Sequence, residues 1–572
     1  MKTQPAVRII ISLLILASFA VPGPAQEMTW DDMNRKAYEL ARNGNYIDSL
    51  ELAKKALAVA SQTYGPRHDN VVTSLNNIAS IYKAQGRYAD AEPFLKKALA
   101  MRALAIGTQD IKRDYLDIYL ALKNLQEIYL LEKKYTEASR VLGRALDIEE
   151  KALGKDHPEL ANDIKTLISL YESQNKFSET EGLYKRLLDI QSSSLGPEHP
   201  LLASTMNALA TIYRTQGRYN DAEPLLKRVI GITEKSPSSD KTALATYMNN
   251  LATVYFHQGN IPQAELYAQR ALGSDENALG KESPELVTDL NNLATIYSYQ
   301  KKYPEAEGLY RKAFEISEKA YGPDNKNVAA CLNNLASLYE SQGAYQKAEG
   351  LYKRSSEIGE KDLDKNYPSI VAALGGLAKV YRLQGKYAEA EAALQRSLAI
   401  ENKYLGAGHP DTASTMNSLA RIYRAQGRYS EAEALLKKVM EINEKVLDTS
   451  DEDALESLKN LSAVYFYQKR YAEAEPLLKN ILKINEKMLG ADKPAIVTDI
   501  NNLATVCSYQ DKYAEAEELY NRALEILQNS DKPDPRKVTS VLDNLANMYD
   551  KSGDIEKAKG IRAEIDAVKL SR

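Results

Sequence analysis

Residues 332–358 read LNNLASLYESQGAYQKAEGLYKRSSEI, and this stretch decides the fold. Leu332, Leu335, Ala336 and Tyr339 fall at i, i+3, i+4 and i+7, one face of a helix, and the run stops at Gly343. A second helix follows, with Tyr345, Ala348, Tyr352 and Ser355 on its inner face. Small Ala348 stands where two helix axes must approach to the ~8–10 Å of packed helices. The position of Gly343 recurs at 44, 86, 133, 175, 217, 259, 301, 385, 427, 469, 511 and 553, giving thirteen hairpins spaced by 42 residues. One interval, from 86 to 133, is 47 residues, which places about five extra residues around Leu104 to Tyr115. A hairpin this short cannot bury its apolar stripe except against the next copy, so the period implies an all-α chain, an α-solenoid.

The doublet NNLA (Asn291 to Ala294, Asn333 to Ala336, Asn501 to Ala504), the QG-x-Y turn after it and the LG-x-x-HP connector (Leu195 to Pro200, Leu405 to Pro410) carry a resemblance. The packing slots resemble those of the tetratricopeptide repeat, and the 42-residue period with these motifs is similar to the repeats of kinesin light chain. The resemblance runs from Trp30 to the C-terminus. It implies a right-handed superhelix whose first helices (A) line a concave groove and whose second helices (B) lie outside, with a peptide as ligand. It departs at the N-terminus, where a hydrophobic leader replaces a heptad coiled coil.

Lys2 and Arg8 precede the apolar run Ile9 to Val21, and Gly23-Pro24-Ala25 offers small residues for cleavage, so residues 1–25 read as a secretory signal. The alternative is a retained anchor, but thirteen apolar residues fall short of the ~20 that span a bilayer. The expectation is an exported protein, periplasmic or extracellular in a prokaryote, with no stable membrane span after cleavage. The remaining chain divides into repeat 1 (30–71), repeat 2 with the insertion (72–118), repeat 3 (119–160), repeats 4–8 (161–370) and repeats 9–13 (371–572, with a C-terminal cap).

The last two segments are related. Residues 199–235 match 409–445 at 25 of 37 positions, and 281–316 match 491–526 at 22 of 36, both at an offset of 210, or five repeats. Repeats 4–8 and 9–13 therefore read as a duplicated block. At their junction Gly375 and Gly376 replace the Asn doublet, lowering helix propensity by ~1 kcal/mol per glycine relative to alanine. This marks the junction as a hinge.

Composition narrows function. The formal net charge of −4, which becomes −6 without Lys2 and Arg8, lacks the basic footprint of a nucleic-acid binder. The two cysteines, Cys331 and Cys507, lie four repeats apart, too far for a disulfide, and read as small core residues. Most of the 37 tyrosines occupy two packing slots, those of Tyr339 and Tyr345. His68, His157, His199 and His409 stand one per connector, too dispersed for a metal cluster, so neither metal nor cofactor is expected. No P-loop, G-x-S-x-G or H-E-x-x-H occurs, and the repeats consume the chain after Trp30, which argues against an enzyme.

The resemblance places a set of side chains in the groove. In the first block these are Asn207, Arg214, Asn249, Phe256, His257, Asn291, Tyr299 and Asn333; in the second, Lys379, Arg382, Asn417, Arg421, Arg424, Lys459, Phe466, Tyr467, Asn501 and Tyr509. Asn amides can hold a peptide backbone by donating and accepting together. Arginine forks suit carboxylates, and aromatics beside them suit an anchoring side chain. The reading is a non-enzymatic scaffold that binds protein segments, acidic and with an aromatic or aliphatic anchor. Two alternatives stay open: the Asn doublet serves only to tie helices together, or the array is a spacer or self-assembling envelope component.

Overall fold

The computed structural model describes residues 28–104, 111–174, 176–235, 241–446, 452–530 and 534–570. The signal-peptide reading and part of the insertion lie outside the described residues. Among those described there are 26 α-helices and one 3-10 turn, Pro494–Ile496, and no strand. The helices pack in consecutive pairs, as an all-α solenoid requires. The chain forms two compact bodies, one ending at Asp240 and one beginning at Lys241. The insertion feeds the helix Ile111–Leu131, which at 21 residues outlasts the 13–16 residues of most first helices.

The slot of Ala348 is fully buried in all thirteen repeats. It holds alanine in eleven, Ser49 in the first and Thr180 in the fourth. Ser49 stays satisfied there by donating to the Ala37 carbonyl at 2.6 Å. The turn that follows the first helix is equally uniform. Gly343 has φ +74°, its N–H bonds the Glu340 carbonyl at 2.9 Å, and the Ala344 N–H reaches back to Tyr339 at 2.8 Å. This pair of bonds closes a helix on a left-handed residue, usually glycine. The same left-handed turn holds Lys133, Lys301, Lys469 and Asp511, with φ of 58–61°. The helix connection thus dictates the backbone even where the sequence supplies a side chain that resists it.

Neighbouring hairpins are tied by charge. The residue just after the turn is a cation in most repeats, and it reaches a glutamate in the B helix of the preceding repeat. Lys134 meets Glu92 at 3.3 Å, Arg218 meets Glu181 at 2.8 Å, and Arg428 meets Glu391 at 2.6 Å. Arg470 and Glu433 are 2.6 Å apart, and Lys512 and Glu475 2.5 Å. The cation also lies over the tyrosine that ends its own first helix, Arg428 at 4.1 Å from the Tyr423 ring centre and Arg470 at 4.4 Å from Tyr465. Each contact couples two repeats through a half-buried carboxylate, a better setting than an exposed pair.

The Asn doublets form a second tie. Asn77 Nδ2 donates to Asn34 Oδ1 at 2.8 Å, Asn292 to Asn249 at 3.3 Å and Asn544 to Asn501 at 3.1 Å. His68, His157, His199 and His409 use Nδ1 to accept the N–H two residues on, at 3.2–3.4 Å; His68 and His409 thereby cap the helices Asp69–Ala84 and Pro410–Ala425, while His157 and His199 brace the turn before theirs.

The glycine pair at the block junction is not a loose joint. A Cβ on Gly376 would enter the Tyr352 ring, and one on Gly359 would overlap Ile370, whereas Gly375 faces open space. The helices Tyr345–Glu360 and Leu363–Leu383 are joined by only Lys361 and Asp362. Glycine serves close packing here, and the expected hinge is a tightly seated contact.

Candidate functional site

The expected groove residues fall into three environments. The first consists of amides engaged with neighbouring repeats. Asn249 is 7% exposed; it donates to Asp289 and accepts from Asn292. Asn333 donates to the Ser369 carbonyl at 3.1 Å, Asn417 to Ser457 Oγ at 2.7 Å, and Asn501 accepts from Asn544. Asn207 and Asn291 are half-buried, and Asn291 Oδ1 is a buried acceptor with no hydrogen bond. Asn249, Asn333, Asn417 and Asn501 thus tie neighbouring repeats together, while the Oδ1 atoms of Asn291, Asn333 and Asn417 are buried acceptors without a hydrogen bond.

The second environment is cationic and belongs to repeats 9 and 10. Lys379 pairs with Glu340 at 2.5 Å and Arg421 with Glu456 at 3.0 Å. Arg382 and Arg424 have no carboxylate partner among the described residues. The Arg424 guanidinium is the most enclosed of the group. Burial pushes its pKa down, the nearby Tyr467 opposes that shift, and Arg421 and Arg382 add to it. Two like charges, Arg382 and the Glu456-paired Arg421, thus stand beside a desolvated guanidinium, which is costly unless an anion completes the site. Arg214, the same slot one block earlier, is half-buried in the first body, and its Nε is buried without a hydrogen bond.

The third environment is aromatic. Phe256 meets His257 edge-on at 5.7 Å and Tyr299 at 5.2 Å, with Tyr299 64% exposed. In the second block the cluster is larger. Phe466 contacts Tyr467 at 5.8 Å, Tyr471 at 5.6 Å and Tyr509 at 5.5 Å. Tyr429 stacks on Tyr467 at 5.8 Å, Tyr471 on Tyr509 at 4.9 Å, and Lys551 Nζ lies 3.0 Å from the Tyr509 ring centre. Tyr429, Tyr471 and Lys551 were not expected in the site. The two tyrosines open B helices and look like core residues, although their spacing of 42 with the groove slots was a usable signal.

Beside these rings lies a cavity of about 730 Å³ between the helices Glu452–Tyr467, Tyr471–Leu489 and Val497–Tyr509. Lys459, Phe466 and Tyr467 line it, together with Leu478, Asn485 and Asp499. Asn485 Nδ2 donates to Asp499 Oδ2 at 2.6 Å, and both residues are more than nine-tenths buried.

One further cluster has ligand-type atoms. Glu475, Cys507 and Glu515 bring donors within 4.8 Å of one another. Lys479 bonds both glutamates and Lys512 bonds Glu475, holding Glu475 down at about 2, while burial and then Glu515 and Glu475 push the Cys507 thiol up to about 11. The ammonium groups already neutralise the carboxylates, and the thiol stays protonated, so the donor set does not suit a metal.

Comparison with known proteins agrees with this architecture. The tetratricopeptide repeat profile matches residues 33–103, 163–235, 216–277, 242–319, 285–361, 369–445, 453–529 and 500–561, and a second tetratricopeptide repeat profile matches 127–159. No curated protein matches the chain. Among solved structures, BtubC (BKLC) from P. vanneervenii is 24% identical, with a TM-score of 0.34, over 41% of this chain and 91% of its own. The nearly identical TPR-like repeats described as kinesin light chain from Podosopora anserina are 29% identical, with a TM-score of 0.33, over 36% and 99%. With profile matches over most of its length and a helical hairpin at every match, this chain belongs to the tetratricopeptide repeat family.

Proposed function

We propose that repeats 9–12 hold an acidic segment of a partner protein, with its carboxylates on Arg382, Arg421 and Arg424 and an aromatic or aliphatic anchor beside Phe466 and Tyr467. The general role, a scaffold for protein–protein interaction, follows from the family; the ligand's chemistry is our reading. The observation that carries it is the pair Arg382 and Arg424, cationic, partly desolvated and without a carboxylate partner among the described residues. A carboxylate brought by a ligand would relieve the repulsion and form charge-assisted, forked bonds. The role is non-catalytic, in keeping with the family and the motifs.

The test is binding to an array of acidic peptides with and without a large apolar residue. The wild type should retain the acidic, anchored peptides. A variant carrying Arg382→Glu, Arg421→Glu and Arg424→Glu, with unchanged circular dichroism, should lose at least about 100-fold in affinity, the scale for buried charge pairs at interfaces. Equal binding by the two proteins would remove the assignment. We further read the chain as exported, on the basis of Lys2, Arg8 and Ile9 to Val21. A mature N-terminus near residue 26 supports this; a cytoplasmic product that retains Met1 refutes it. Among the described residues no helix is long and apolar enough to cross a membrane.

A further inference from the structure

Three slots recur at the junctions between repeats: one in a first helix, one in the second helix of the same repeat, and one in the first helix of the next. In repeats 3 and 4 they hold Lys123, Glu149 and Asp163; in repeats 6 and 7, Asn249, Asp275 and Asp289; in repeats 9 and 10, Gly375, Glu401 and Thr415. The first member reaches the third: Lys123 pairs with Asp163 at 2.6 Å, Asn249 donates to Asp289, and Asn417 donates to Ser457 at 2.7 Å. Lys123 also acts on the middle member, its charge opposing the upward shift that burial gives Glu149. Glutamate fills the middle slot only twice, as Glu149 and Glu401, and the first slot beside them holds lysine in one case and glycine in the other.

Glu401 is 1% exposed. Its Oε1 accepts from Thr415 Oγ1 at 2.9 Å, its Oε2 is buried without a hydrogen bond, and no cation among the described residues pairs with it. Gly375 is exposed, and a Cβ built on it would meet no atom within 4 Å, so the place of the lysine side chain is open from the surface. Lys379, one turn along the same helix, is held by Glu340 at 2.5 Å and does not fill it. A buried carboxylate ionises at low cost only beside a cation or a set of donors. We propose that the slot at Gly375 is a binding site for a primary alkylammonium group, which takes the place of the absent lysine and donates to Glu401 and Thr415. An ammonium has three donors on one atom, enough for both acceptors. A lysine side chain of a bound segment and a free amine share this chemistry. The inference goes beyond the arginine cluster and does not depend on it, because the group bound is a cation and the residues that take it are Glu401 and Thr415.

Burial pushes Glu401 up to about 7; the Thr415 bond opposes this, and Asp411, in the first turn of the same helix as Thr415, adds to it. The test is therefore run at pH 8, where the carboxylate is ionised. The probe is n-butylammonium, which has the carbon chain of a lysine side chain, observed through the Thr415 methyl resonance of threonine-labelled full-length protein. Butyltrimethylammonium keeps the charge without a donor, and n-butanol keeps a donor without the charge. The expected result is a saturable Thr415 shift with n-butylammonium and binding at least about tenfold weaker for both controls, the scale of a charge-assisted hydrogen bond. Glu401→Gln should weaken n-butylammonium by a similar factor, and Gly375→Lys, which restores the set of repeat 3, should abolish the response. An unmoved Thr415 resonance in the wild type, or equal binding of the three probes, overturns the proposal. Acidic peptides with lysine or norleucine at one position separate the two sources of the ammonium: a preference for lysine that Gly375→Lys removes assigns it to the bound segment, and equal binding with the n-butylammonium result intact assigns it to a free amine. If the triple arginine-to-glutamate variant binds acidic peptides like the wild type while n-butylammonium behaves as expected, the carboxylate assignment fails and this site stands. If acidic peptides need the arginines but Thr415 never responds, this site fails alone.

Discussion

Asn249, Asp275 and Asp289 in repeats 6 and 7 occupy the same three slots as Lys459, Asn485 and Asp499 one block later, yet the two interiors are chemically opposite. In the first, two buried carboxyls, Asp275 and Asp289, face each other, and the Asn249 amide donates to Asp289. Burial, with Asp275 beside it, pushes Asp289 up to about 7, and the Asn249 bond opposes that shift. In the second, one of the acids has become an amide and a lysine stands at the lip. Repeats 3 and 4 supply a third version, Lys123, Glu149 and Asp163, in which two acids are retained and a lysine pairs with Asp163 at 2.6 Å. The lesson is that this solenoid tolerates polar residues at a buried junction provided that the column is neutralised, by an ammonium, an amide or a proton.

The sharpest way to break the comparison is to convert one version into another. Lys123→Asn leaves the buried Asp163 without its cation beside the half-buried Glu149, and should cost about 3 kcal/mol at pH 8, the range seen when one member of a buried pair is removed. Asn249→Lys, which makes repeat 6 resemble repeat 3, should raise stability in the same assay. Both are read as shifts of the urea midpoint, with hydrogen exchange to localise the change. A Lys123→Asn midpoint equal to wild type would show that the lysine contributes nothing to the junction.

Next in size is the boundary between the blocks. Gly376→Ala forces a methyl group into the Tyr352 ring and should cost about 1–3 kcal/mol. Gly375→Ala meets open space in the same helix and should stabilise by about 1 kcal/mol. If both substitutions stabilise, the junction is the hinge that the sequence suggested.

The proton version makes a prediction with a definite sign. Asp289 rises to about 7, as do Glu149 and Glu401, each chiefly through burial. Their unfolded values lie near 4, so between pH 4 and 7 the folded state binds more protons than the unfolded state. Stability from these groups is therefore full only below about pH 4, falls as pH rises from 4 to 7, and is lost above 7. Asp275→Asn, which copies repeat 11 into repeat 6, should flatten the profile and stabilise by about 1–2 kcal/mol at pH 8. Urea midpoints at pH 5 and pH 8 decide it; a profile unchanged by Asp275→Asn would exclude the pair as its source.

The hairpin period, the buried Ala348 slot and the tyrosine packing could be read from the sequence because each is a local rule repeated thirteen times. The capping role of His68 and His409 was within reach for the same reason. The Arg382, Arg421 and Arg424 cluster could be placed by counting along helices, although the pairing of Lys379 with Glu340 could not, since it joins different repeats. The buried triads were missed because each polar residue, taken alone, looks like part of a solvated helix face. Aligning Asn249, Asp275 and Asp289 in columns of 42 would have revealed them. The cavity was illegible for a deeper reason: it depends on how far Leu478 and Ile481 separate helices, a packing result with no local signature. Gly376 misled in the opposite direction, since a helix-breaking propensity hid a steric need.

The smallest predicted effect tests how strictly the block comparison extends to the turns. Lys469 and Asp511 occupy, one block on, the positions of Gly259 and Lys301, and all four have φ between 58° and 76°. A left-handed residue with a side chain costs about 1 kcal/mol relative to glycine, offset in part by the larger unfolded-state entropy that glycine brings. Lys469→Gly should therefore stabilise by roughly 0.5–1 kcal/mol, and Gly259→Lys should destabilise by a similar amount. Arg470, the next residue, must keep its contacts with Glu433 and Tyr465 for the result to report backbone strain alone. A Lys469→Gly, Arg470→Ala double variant checks this, because its stability change should equal the sum of the two single changes. Strong non-additivity would mean that the turn and the charge tie work as one unit, and that the second block kept its strained turn in order to aim the arginine.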